Sequence, residues 1–181
     1  LACQVPLRRW HAGFEFLWTR AHFDQNVAMI IDPPVGNTLR PFDYSYDLTP
    51  RAWLGWQSAR SGGGFRATYW RFNASAAQEQ ATAVVGATPV YLFVYGAGGN
   101  LTRNAYADLG ERLVSNHRLT LHALDLEATQ RFSCASLQCV AGVGVRVAEM
   151  DQHLRADIYD ATNALWEVVT NDLSFEGAGP T

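Results

Sequence analysis

Glu15, Arg66, Asp125, Glu127 and Arg146 are charged residues set singly among apolar neighbours. Three carboxylates and two guanidinium groups in such settings suit a network of paired charges, because a charge among apolar side chains survives only when paired or hydrated. They do not suit proton-transfer chemistry, since arginine keeps its proton at any ordinary pH. Other catalytic templates are missing. His11, His22, His117, His122 and His153 form no i, i+4 ligand pair on a helix, and no P-loop or serine nucleophile elbow is present. Cys3, Cys134 and Cys139 make no C-x-x-C zinc motif. Cys134 and Cys139 bracket the turn CASLQC, where they suit either a hairpin disulfide in an oxidising compartment or two reduced thiols. The residues point to no metal, no cofactor and no enzymatic step.

One glycine turn imitates a dinucleotide site. Val90–Tyr95 resembles a buried strand, Gly96, Gly98 and Gly99 follow, and Leu101–Ser115 has the length of a helix. The phosphate fingerprint needs its third glycine where Leu101 stands, and without it the helix cannot approach the strand. Residues 80–102 carry no formal charge, yet their strongly apolar part is only Val90–Tyr95, too short for a membrane helix. A docked strand or a short extra hairpin fits better. A net charge of −3 without a basic cluster argues against nucleic acid as a partner.

The elements that carry the five charges alternate with period two. Trp10, Ala12, Phe14, Phe16 and Trp18 share one face of a strand, with His11, Gly13, Glu15, Leu17 and Thr19 on the other. PRAWLGWQSARSGGGFRATYWRFNAS reads as an aromatic-rich hairpin closed by a Ser-Gly-Gly-Gly turn. Leu124, Leu126 and Ala128 oppose Asp125, Glu127 and Thr129. Ala141, Val143, Val145 and Val147 oppose Gly142, Gly144 and Arg146. The alternation slips in two places: Leu119 and Leu121 share the face of Asp125, and Phe65–Phe72 mixes its faces.

The connections between these strands alternate in length. Long ones are expected at about 24–49, 76–116 and 152–172, and short ones at the two hairpin turns. Outer-membrane barrels have this asymmetry, and a ten-residue strand tilted by about 45° rises roughly 23 Å, close to their apolar band. Glu15, Gln57, Arg66, Asp125, Glu127 and Arg146 would then face the lumen, with space left by Gly55, Gly142 and Gly144.

Three stretches carry a family resemblance: PRAWLGWQSARSGGGFRATYWRF, LDLEATQRF with VAGVGVRVAEMDQ, and the closing FEGAGPT. Together they resemble the planctomycete outer-membrane β-barrel proteins, a group akin to the pore-forming major outer-membrane proteins described from Legionella. The resemblance runs from about Trp10 to Thr181 and implies a barrel larger than the strands seen here. Its strand positions are Arg66, Tyr69, Trp70, Asp125, Glu127, Gly142 and Arg146. Ala76–Asn116 matches none of its motifs.

The expectation is therefore all-β: residues 1–181 as the N-terminal part of a single transmembrane antiparallel β-barrel, about six strands of a larger whole. The expected function is a porin-like passive channel or structural barrel in the cell outer membrane of a Gram-negative-type bacterium. Its partners would be outer-membrane lipid and small solutes. Two alternatives stand beside it: a surface-binding protein anchored by the barrel and acting through its long loops, and a soluble secreted β-sandwich or barrel binding module.

Overall fold

The computed structural model describes residues 9–24, 26–32, 36–87, 89–95, 101–134 and 137–181. In chain order the strands are β1 (Arg9–Thr19), β2 (Val27–Ile31), β3 (Thr38–Pro41), β4 (Asp47–Gln57), β5 (Gly63–Ser75), β6 (Glu79–Thr82), β7 (Val90–Tyr95), β8 (Leu101–Ala107), β9 (Arg112–Cys134), β10 (Leu137–Tyr159) and β11 (Leu165–Pro180). The protein is all-β, and every strand pairing is antiparallel. The main sheet is an up-and-down meander ordered β1-β4-β5-β9-β10-β11, with β6 also on β9; a second sheet is ordered β3-β2-β7-β8. Among the described residues nothing pairs β1 with β11, so the meander is an open path.

The aromatic hairpin forms with its turn earlier than the glycines suggest. Gly63 and Gly64 already belong to β5, and the reversal is made at residues 58–62. There Ser58 N–H donates to Gly63 O at 2.8 Å and Gly62 N–H to Ser58 O at 3.0 Å.

Two of the three long connections are long, but they are not irregular. They supply β2 and β3, then β6, β7 and β8, so Val90–Tyr95 is one arm of a hairpin with β8. Leu101–Ala107 is strand rather than helix. Gly96–Gly99 lies outside the described residues.

The third expected connection, 152–172, is corrected. β10 runs on to Tyr159, β11 begins at Leu165, and only residues 160–164 turn. Asp160 Oδ1 accepts from the Thr162 and Ala164 backbone N–H groups at 2.8 and 2.9 Å, and Asn163 takes the left-handed conformation at φ 65°. An aspartate that satisfies its own turn, followed by an asparagine tolerant of positive φ, makes a tight reversal without a long loop. The excursion is spent instead as strand: at about 3.3 Å per residue, a 23-residue strand reaches roughly 76 Å.

The register exposes the organising feature. Phe14, Ala52, Tyr69, Leu124, Val147 and Ala178 form one hydrogen-bonded row across six strands, side chains on one face. That face stays apolar through Trp10, Phe16, Leu54, Phe65, Leu126, Val143 and Val145, and nothing among the described residues covers it: Val143, Val145 and Val147 are 68, 51 and 52 % exposed. The next row along is Arg71, His122, Glu149 and Glu176, and the one beyond it Asn73, Thr120, Asp151 and Ser174. At that boundary the two faces of β5, β9, β10 and β11 exchange character, while β1 and β4 stay apolar outward through Phe16, Trp18 and Leu48. On the opposite face Phe72, Ala74, Leu119, Leu121, Met150 and Leu154 now turn apolar, and the second sheet folds down upon them. Further along, Met29, Val90 and Leu92 of that sheet bury Leu113, Ile158 and Val169. The core thus lies on one side of the main sheet, and the bare apolar band lies on the other side at the other end. Burying such side chains contributes about 1.5–3 kcal/mol each.

Candidate functional site

The five charged residues singled out from the sequence lie on one face of the main sheet, opposite the bare apolar band. Arg66 and Glu127 are direct cross-strand neighbours between β5 and β9, with Arg66 Nη2 and Nε each 2.7 Å from Glu127 Oε2. Asp125 and Arg146 are neighbours between β9 and β10, and the guanidinium holds both carboxylate oxygens, Nε to Oδ1 at 2.6 Å and Nη2 to Oδ2 at 3.0 Å. Glu15 on β1 faces Arg51 on β4 at 3.0 Å. Arg51 is the member that sequence reasoning missed. It stands six residues from Gln57, hence on the same face, but Trp53 between them disguises that face as apolar. With it the set balances, three acids against three arginines.

Each pair joins two adjacent strands at one row. A slip of one residue would carry every partner to the other face of the sheet, so the pairs hold register as well as charge. Asp125 is buried, while its Arg146 partner is about half exposed, which limits the stabilising value of the pair to the modest range of solvated ion pairs.

Glycines fit aromatic rings between these charges. Gly13 lies opposite Trp53 and Gly55 opposite His11. A Cβ at Gly13 would stand 2.0 Å from Trp53 Cζ2, and one at Gly55 would stand 2.2 Å from His11 Nε2. The rings lie flat across the bare backbone of the neighbouring strand, a packing that only glycine allows. Space expected at Gly55 for a large neighbour is thus filled by His11.

At the other end of this face, a cavity of about 430 Å³ opens between the two sheets. Phe23, Ile30, Phe42 and Leu92 give it apolar walls, Asn26 and Gln152 add amides, and no carboxylate or guanidinium lines it. Tyr44 Oη and His117 Nδ1 are hydrogen-bonded at its edge, and the His117 ring also lies 5.3 Å from that of Phe42. Burial lowers the His117 pKa below 6.5, opposed by a hydrogen bond that the imidazole donates to Gln152 and helped by His153, and burial pushes Tyr44 up to about 12.

These shifts set a pH dependence. Below about pH 6.5 the unfolded chain binds a proton at His117 that the folded chain refuses, so stability falls as the medium is acidified. Above pH 10 the unfolded Tyr44 loses a proton that the folded chain keeps, and stability falls again. Limited proteolysis across residues 20–46 is expected to accelerate between pH 6.5 and 5, and His117→Gln should flatten that rise.

Among the described residues no group of three His, Cys, Asp or Glu side chains comes close enough to hold a metal ion. Cys139 is exposed; the side chain of Cys134 lies outside the described residues, and with it the expected disulfide. The fold and this charged face define an antiparallel β-meander with one wet and one apolar side. No family model, curated protein or solved structure matches the chain.

Proposed function

We propose that this chain is part of an antiparallel β-barrel spanning a bacterial outer membrane, acting as a passive hydrated channel or a structural barrel without a chemical step. The observation that carries this reading is the exchange of faces along the main sheet. A soluble sandwich buries one face of a sheet along its whole length and leaves the other to water. Here the end that lacks a covering sheet is the end whose outward face carries Trp10, Phe14, Phe16, Leu126, Val143 and Val145, opposite three ion pairs. In water such a continuous apolar patch is disfavoured by about 25 cal/mol per Å². In hydrocarbon it costs nothing, and the paired charges fall inside on a hydrated wall.

The dimensions agree. Cys139 to Val147 on β10 spans eight steps, roughly 19–22 Å of membrane normal at a tilt of about 35–45°. Tyr69, bonded to His122 Nδ1 at 2.8 Å, sits where apolar rows give way to charged ones, as aromatic residues do at membrane interfaces. Unpaired edges in lipid are costly, so β1 and β11 need strand neighbours there. The smallest such barrels have eight strands, so closure requires strands beyond the six of this meander. The resemblance to planctomycete outer-membrane barrels points the same way.

The test uses the intact protein. It is expected to remain with membranes through alkaline carbonate extraction, and in planar bilayers to conduct in discrete steps. Membrane retention without conductance would leave the structural barrel. Full release into the soluble fraction would end the membrane reading.

A further inference from the structure

Charge on the ion-paired face is unevenly distributed along its length. In the middle rows three acids meet three arginines. Toward the turn that joins β4 to β5, the balance fails. A recess of about 870 Å³ opens there, lined by Arg9, Arg60, Arg66 and Arg131 together with His11 and Gln57, and by no carboxylate. Arg66 is occupied by Glu127. Arg9, Arg60 and Arg131 have no side-chain ion pair or hydrogen bond among the described residues.

Their placement follows from the register. Arg9 is opposite Gln57, and Arg131 lies two positions beyond Thr129 and opposite Val140, which puts both on the face of the ion pairs; Arg60 projects from the reversal at 58–62. Three guanidinium groups on a concave wall without counter-charge repel one another. Low-dielectric walls also focus their field into the recess, where potentials of several kT concentrate counter-ions. Screening confines that field to about 8–10 Å, so it acts at this mouth and not along the whole conduit. Guanidinium forks also match carboxylate and phosphate oxygens in geometry.

We infer that this mouth is an anion-collecting vestibule, which admits small anions bearing carboxylate or phosphate groups ahead of cations. The inference rests on the channel reading above and adds to it the class of solute. An anion entering the recess supplies the negative charge that the wall lacks, then meets the neutral ion-paired rows, where nothing holds it.

The experiment is a reversal-potential measurement on the intact protein in planar bilayers under a potassium chloride gradient. Chloride is expected to permeate at least about 3-fold over potassium, and the triple variant Arg9→Gln, Arg60→Gln, Arg131→Gln should bring the ratio to about 1. Arg20→Gln, whose partner Asp43 lies at the opposite end, should leave it unchanged. Inorganic phosphate at millimolar concentration should reduce the chloride current of the native protein and not that of the variant. Should the triple variant fail to insert, Arg60→Gln alone, in an exposed turn, should lower the ratio partway. A conducting protein without anion preference, or a variant that retains it, overturns the vestibule and leaves the channel. An inserted protein without conductance overturns both.

Discussion

Val145→Arg is expected to lower the stability of the intact protein in phospholipid vesicles by about 2–4 kcal/mol, the range for a cation placed at mid-bilayer on a barrel's lipid face. Val145 is half exposed, its neighbours Leu126 and Pro180 lie in the same row, and no described element covers it. If that face lay in water, the same change would fall within about 0.5 kcal/mol, as surface substitutions do. Thr120→Arg supplies the internal comparison. It is on the same strand face but among the charged rows past His122, where a cation near the interface costs about 0–1 kcal/mol. Urea unfolding in vesicles, followed by tryptophan fluorescence, measures both. Equal effects at the two positions would refute a lipid-facing band.

Leu113→Ala is expected to cost about 2–5 kcal/mol, by loss of transfer energy and by the cavity left behind. Leu113 has no exposed surface and packs with Met29, Val90, Leu92 and Ile158 where the second sheet meets β9 and β10. The damage should concentrate in that docking. Protease cleavage within residues 76–111 should accelerate, while Val143→Ala on the bare face should leave it unchanged. An unchanged cleavage rate in Leu113→Ala would mean that this core does not hold the second sheet.

Much of the meander is legible in the amino-acid order because each strand there has one wet and one apolar side. Trp10 through Trp18 announces β1 by strict alternation, and Glu15, Arg66, Asp125, Glu127 and Arg146 announce the opposite face. Leu119 and Leu121 look like defects in that pattern. They mark the level at which a second sheet arrives, and a one-strand window holds no trace of a partner that far away in sequence. β2 was hidden for a related reason. Val27–Ile31 is a short continuous apolar run, buried through its middle and so without period two. The stretch past Gln152 reads as loop in the sequence because His153, Arg155 and Asp157 give it a polar look. They occupy one face, while Leu154, Ala156 and Ile158 occupy the other and enter the core. The Tyr44–His117 contact joins residues 73 apart, which no local spacing reveals.

The exchange of faces has a bearing on biogenesis. The end of the meander under the second sheet buries Leu113, Ile158 and Val169 within the protein itself and so can consolidate in water. On the barrel reading proposed above, the other end finds shelter only in a bilayer, and before that its bare tryptophans and valines are a hazard for clumping. On that same reading assembly should run in two stages, with the sheltered end consolidating before the naked end is covered.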